Sequence, residues 1–143
     1  MVSVRQLLNR KGAKILSIAP SATVRDALTL MAQEDVAALL VMEGDALEGI
    51  ITERDYARKV ILMGRTSKDT RVSEVMSSKL TTVTPQQNVN DCMELMSGKR
   101  IRHLPVLDGS IVVGVISIGD VVKAVMANQA SMIEHLEAYI TQA

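Results

Sequence analysis

Laid over itself with an offset of 65 residues, the chain matches itself: from Pro20 to Val60 against Pro85 to Val125 there are 12 identities in 41 positions, without a gap. Pro20 falls on Pro85, Val24 on Val89, Asp26 on Asp91, Leu30-Met31 on Leu95-Met96, Leu39 on Leu104 and Val41 on Val106. Gly44 falls on Gly109, Gly49 on Gly114, Ile51 on Ile116, Asp55 on Asp120 and Val60 on Val125. Chance would give roughly two or three identities, so the chain is built from a duplicated unit. Any fold proposed for one copy must serve the other.

Each copy reads the same way. Ile15–Ile18 and Leu80–Val83 are short apolar runs that predict strands, and Pro20 and Pro85 break the chain after them. Val24, Ala27, Leu28 and Met31, like Val89, Cys92, Met93 and Met96, recur at helical spacing. Second strands are expected over Ala37–Met42 and Arg102–Leu107, and third strands over Leu47–Thr52 and Val112–Ser117. Glu43-Gly44-Asp45 and Asp108-Gly109-Ser110 supply the turns between them. A second helix is expected from Glu53 to Met63 and from Ile118 to Met126. The hairpin strands are apolar at nearly every position, which predicts burial on both faces. The fold class is therefore α/β (α+β): two β-α-β-β-α repeats related by a pseudo-twofold axis and packed through their sheets. Boundaries fall at 10–64 for repeat 1, 65–71 for a polar linker, 72–128 for repeat 2 and 129–143 for a C-terminal helix. Val72, Val75 and Met76 predict a helical turn leading into the second unit, and Val4, Leu7 and Leu8 a matching turn at the start. Met132, Ile133, Leu136, Tyr139 and Ile140 form an apolar stripe on the last helix, suited to the core edge or to a second subunit.

Composition narrows the functions open to such a pair. With two Tyr, no Phe and no Trp, the core must be aliphatic, and a bound base would meet aliphatic walls rather than stacked rings. Lys plus Arg equals Asp plus Glu, at 16 each, so no strong field draws nucleic acid or anionic lipid. A single cysteine, Cys92, cannot form an internal disulfide and suits a reducing compartment; on its helix face it reads as a small core residue. No apolar run reaches the roughly 20 residues that span a bilayer, and no signal peptide is recognised, so a cytoplasmic protein is expected. No Cys/His cluster has zinc spacing, and no phosphate loop, nucleophile elbow or His-Glu-x-x-His is present, so neither a metal nor catalysis is expected.

The duplicated chemistry lies in Gly49-Ile50-Ile51-Thr52-Glu53-Arg54-Asp55 and Gly114-Val115-Ile116-Ser117-Ile118-Gly119-Asp120. In both, a strand ends in a hydroxyl residue, a helix begins, and Asp follows three positions later. The plainer reading is a capping box, the hydroxyl and the acid closing the helix start, worth about 1 kcal/mol each. The functional reading uses the same geometry. A helix N-terminus and a hydroxyl favour a phosphate, and an ionised carboxylate, which only accepts, suits a ribose diol.

The repeat order, the doubled Gly-x-x-(Thr/Ser)-x-x-Asp element and the stretch Arg102-His103-Leu104-Pro105-Val106 resemble tandem CBS (cystathionine β-synthase) domains, a Bateman module, over about residues 14–127. Ile51 to Tyr56 and Gly64 to Lys68 are similar to stand-alone pairs of this family. The resemblance implies clefts that bind an adenine nucleotide (AMP, ADP, ATP, NAD or S-adenosylmethionine), with Thr or Ser on phosphate and Asp on ribose. It also implies a regulatory rather than catalytic role, a homodimer, and signalling to an unknown regulated protein. Candidate ligand-binding residues are Thr52, Arg54 and Asp55 in the first copy and Arg102, His103, Ser117, Gly119 and Asp120 in the second, with Thr82 and Pro105 beside them. The copies are unequal. Arg102 and His103 stand where the first copy has Ala37 and Ala38, and Gly119 leaves room for a ligand where the first has Arg54. A tighter or different nucleotide is expected in the second site. The reading from another class is a ligand-independent interaction module whose boxes only cap helices.

Overall fold

Two hairpins organise the computed structural model, which describes residues 2–12 and 14–142 and, at positions 139 and 142, the backbone alone. Gly44 (φ 60°) and Gly109 (φ 65°) sit first in two-residue turns between Glu43 and Ala46 and between Asp108 and Ile111. A positive φ there, followed by a residue without one, is the turn that matches strand twist, and glycine takes it without strain. The turns join β2 (Ala38–Glu43) to β3 (Ala46–Thr52) and β4 (His103–Asp108) to β5 (Ile111–Ser117), both antiparallel. The central residues of β2 and β4 are buried, whereas β3 and β5 start exposed and alternate between buried and half-buried positions from Gly49 and Val112 onward. The fold class is mixed α/β.

The helices before the hairpins start where the sequence places them. α2 (Val24–Glu34) is capped by Thr23 with Asp26, and α5 (Val89–Lys99) by Asn88 with Asp91; each is a reciprocal box closing two helix-end donors. Val24, Ala27 and Met31 of α2 and Val89, Cys92 and Met96 of α5 are buried, whereas Leu28 is half-buried and Met93 exposed at the edge of the same stripe.

Three expectations about the extent of elements change. The strand expected at Leu80–Val83 is reduced to a single parallel bridge between Val83 and Val106, while its counterpart β1 (Ser17–Ile18) pairs with Leu40 and Val41. In the first copy the Leu40 N–H donates to the Leu16 carbonyl at 3.2 Å. Pro105 occupies that place in the second copy and has no N–H to give. The helix expected at Ile118–Met126 and the C-terminal helix expected over 129–143 are one, α6 (Ile118–Gln142), because Ala127-Asn128-Gln129 contains no breaker. The helix expected from Glu53 to Met63 is a short α3 (Glu53–Tyr56) that widens into a π turn over Ala57–Ile61.

The helical turns leading into each copy are placed differently from their chain order. The chain forms two compact units, one of residues 15–80 and one of residues 1–14 with 81–143. α4 (Val72–Val75), expected to lead into the second unit, buries Val72 and Val75 in the core of the first, with Val24, Met31, Leu39 and Ile51. α1 (Val4–Lys11) buries Val4, Leu7 and Leu8 with Val89, Met96, Leu104 and Ile116 of the second copy. Backbone bonds fix both: Val4 N–H to the Gln87 carbonyl at 2.8 Å, and Val72 N–H to the Ala22 carbonyl at 2.9 Å.

The motif glycines are explained by these turns. A Cβ on Gly114 would lie 2.6 Å from Leu8 Cδ2, and one on Gly49 would lie 2.7 Å from the Ser77 carbonyl oxygen and 2.9 Å from Met76 Sδ. Glycine lets the lead-in segment pass directly over the third strand.

Candidate nucleotide-binding site

Both hydroxyl–carboxylate elements form at the junction of a hairpin's last strand and the following helix. Thr52 is extended (φ −125°, ψ 163°) and caps α3. The Asp55 N–H donates to Thr52 Oγ1 at 3.1 Å, and the Thr52 N–H donates to Asp55 Oδ2 at 3.0 Å. In the second copy the Asp120 N–H donates to Ser117 Oγ at 3.2 Å, and the Ser117 N–H to Asp120 Oδ2 at 2.9 Å. The helix starts are further closed by the hairpins, since the Glu53 N–H donates to the Ala37 carbonyl and the Ile118 N–H to the Arg102 carbonyl. An incoming anion therefore finds fewer free donors than a bare helix terminus offers.

Each carboxylate also holds a lysine that the sequence reading missed. Lys59 Nζ lies 3.1 Å from Asp55 Oδ1 and donates to the Val75 carbonyl at 2.9 Å. Lys11 Nζ lies 2.7 Å from Asp120 Oδ2 and donates to the Val115 carbonyl at 2.8 Å. Lys59 was legible as an i,i+4 partner of Asp55. Lys11 carries no local signal, being 109 positions from Asp120. Thr52 Oγ1 also bonds Asp55 Oδ2 at 3.2 Å, so both Asp55 oxygens are engaged; the described bonds of Asp120 fall on Oδ2 alone.

His103 stands opposite Ser117 in the β4–β5 ladder. The structure thus gathers His103, Ser117 and Asp120 with Lys11, and Arg102 immediately precedes them. Burial pushes the His103 imidazole below its usual 6.5; the Lys11 and Arg102 charges reinforce this, and Asp120 opposes it. Burial pushes the Asp120 carboxyl up, but the Lys11 and Ser117 hydrogen bonds outweigh it and hold the group below its usual 3.8. At neutral pH the second site presents a carboxylate, an ammonium and a neutral imidazole. Pro105 is buried in β4 opposite Val115, and its carbonyl accepts from Val83, next to the exposed Thr82. Gly119 and Arg54 are exposed in equivalent first-turn positions. Arg65 pairs with Glu74 at 2.6 Å, holding the segment between the copies. Burial, aided by Asp91, pushes the Cys92 thiol up to about 11, which suits a core residue and not a reactive one. Among the described residues no group of three His, Cys, Asp or Glu is placed to hold a metal ion, and no helix is long and apolar enough to cross a membrane.

The chain thus carries two such units, each with a hydroxyl–acid box where its hairpin meets a helix. It belongs to the CBS-domain family, whose sequence pattern matches residues 4–61 and 72–127. It is 49% identical over 123 residues to the mitochondrial CBS domain-containing protein CBSX3 of Arabidopsis thaliana, a match covering 82% of this chain and 60% of that one. A solved CBS-domain protein from Burkholderia ambifaria MC40-6 superposes with a TM-score of 0.86 at 50% identity, over 90% of this chain and 96% of that one. A hexameric CBS-CP12 protein from bloom-forming cyanobacteria superposes with a TM-score of 0.75 at 33% identity, over 85% and 71% of the two chains. CBS-pair proteins are regulatory, signal-transduction modules.

Proposed function

We propose that this protein is a sensor of adenine nucleotides (AMP, ADP, ATP or NAD) that works as a homodimer in the aqueous cytoplasm and signals to a separate regulated protein. The observation that carries the reading is the second box. Asp120 is ionised, its Oδ1 makes no bond among the described residues, Lys11 and the Ser117 N–H share its Oδ2, and His103 stands opposite Ser117 in the ladder. A carboxylate oxygen with free lone pairs accepts a ribose diol, and an ammonium next to a hydroxyl favours a phosphate. Asp55 has both oxygens engaged, so a ribose there must displace a protein donor. The second site is therefore the tighter one.

The experiment is thermal unfolding with AMP, ADP, ATP, NAD and S-adenosylmethionine in turn, with GTP as control. A ligand at 100 times its Kd stabilises by about 2.7 kcal/mol, a shift of several degrees. We expect a shift with one or two adenine nucleotides, abolished by Asp120→Ala and reduced less by Asp55→Ala; equal losses would count against the ranking. A ligand-independent interaction module is the second reading. It is favoured by the completeness with which cap, strand carbonyl and lysine already close both helix starts. It requires no shift with any nucleotide, in protein shown to carry none from purification.

A further inference from the structure

We propose that the C-terminal part of α6 is a self-association surface, on which two copies of this chain pair as an antiparallel coiled coil. From Met126 onward every described side chain is exposed, Leu136 at 57% and Ile140 at 70%. A helical segment of this length gains no support from its own unit, and short isolated helices are marginal in water. Val122, Met126, Gln129, Ile133, Leu136 and Ile140 follow the alternating spacing of four and three residues that defines a coiled-coil seam. The spacing continues one seam through the junction with the folded unit, since Val122 is itself exposed.

The seam is self-complementary when two copies run in opposite directions about the level of Ser131. Val122 then meets Ile140 of a second copy, Met126 meets Leu136, and Gln129 meets Ile133. The last layer sets one polar side chain against an apolar one and is the weakest of the three. Charge decides the direction. Lys123 and Glu137 occupy the same flanking position two heptads apart, and among the described residues neither has an ion pair in its own chain. Antiparallel pairing sets Lys123 beside Glu137 of the other copy, twice per dimer. Parallel pairing in register would set them beside Ile118 and Met132. The seam thus matches a second copy of itself in spacing, apolar layers and flanking charge, and no nucleotide is needed for the match.

Sedimentation and disulfide trapping test it. The protein should sediment at twice its 15.5 kDa chain mass at micromolar concentration. Leu136→Glu, at an exposed position that leaves the folded units intact by circular dichroism, should weaken association at least tenfold. Glu137→Lys should weaken it less, and adding Lys123→Glu should restore it. Met126→Cys and Leu136→Cys proteins should cross-link when mixed and oxidised, but neither alone; native Cys92 is buried. A monomer of 15.5 kDa would overturn the proposal. So would a dimer indifferent to Leu136→Glu, which pairs through another face and leaves the homodimer reading standing. Self-cross-linking of Met126→Cys alone would overturn the antiparallel direction.

Discussion

Lys11 reaches Asp120 across 109 positions of chain, whereas Lys59 reaches Asp55 across one helical turn, yet both end on a carboxylate and a backbone carbonyl. The equivalent of Lys59 in the second copy is Ala124, so the ammonium there has to come from elsewhere. Because Asp120 is held below its usual pKa, its stabilising contribution is full at neutral pH and fades as pH falls below about 3.8. Lys11→Ala should cost about 1 kcal/mol near pH 7, or about 3 °C in Tm, with the difference from the native protein shrinking as pH falls below 3.8. The same change removes a charge that holds His103 down, so the His103 titration followed by NMR should move up. A His103 pKa unmoved in that variant would show that Lys11 does not reach the site in solution. The boxes themselves were legible because cap chemistry is local: hydroxyl, acid and helix start lie within four residues. Lys11 was not, since only tertiary folding brings it there.

At the scale of elements, one sequence motif meets two kinds of neighbour. Over Gly114 the obstacle is the end of the Leu8 side chain, which can swing away; over Gly49 it includes the Ser77 backbone carbonyl, which is fixed by its bond to Ile50. Gly114→Ala should cost about 1 kcal/mol and Gly49→Ala about 3 kcal/mol, within the range of overpacking. Combining Gly114→Ala with Leu8→Ala should be less than additive, whereas Met76→Ala should do little for Gly49→Ala. Denaturant midpoints of the singles and doubles check this, and equal costs for the two glycines would refute it. Hairpins and capped helices were readable because turn glycines, apolar spacing and caps act over a few residues. The lost strand at Leu80–Val83 was not, because the missing donor belongs to Pro105 on the neighbouring strand. The fusion into α6 was not legible because Ala127-Asn128-Gln129 neither breaks a helix nor continues an apolar stripe.

For the whole molecule, the lead-in turns decide what depends on what. The repeat was evident from identities, but where Val4–Leu8 and Val72–Met76 would pack was not, because both are short apolar turns that fit either core. Removing residues 1–11 takes Val4, Leu7 and Leu8 out of the core built by residues 83–124 and leaves the core of residues 24–75 whole. Hydrogen exchange on the truncated protein should show protection lost by tenfold or more in β4, β5 and α5, with β2 and α2 changed little. Protection lost first in β2 and α2 would contradict that dependence.

The crossing of the lead-in turns also decides what one copy can do alone. Ser3–Leu8 and Arg71–Met76 correspond at an offset of 68, three more than the bodies they precede, so each body is preceded by a similar short turn. Each copy nevertheless lends its turn to the other's body. A single copy with only its own turn could repeat that exchange only with a second chain, each completing its neighbour's core as a domain-swapped dimer. Residues 68–127 produced alone should sediment as a dimer; a folded monomer would show that the turn can close on its own body.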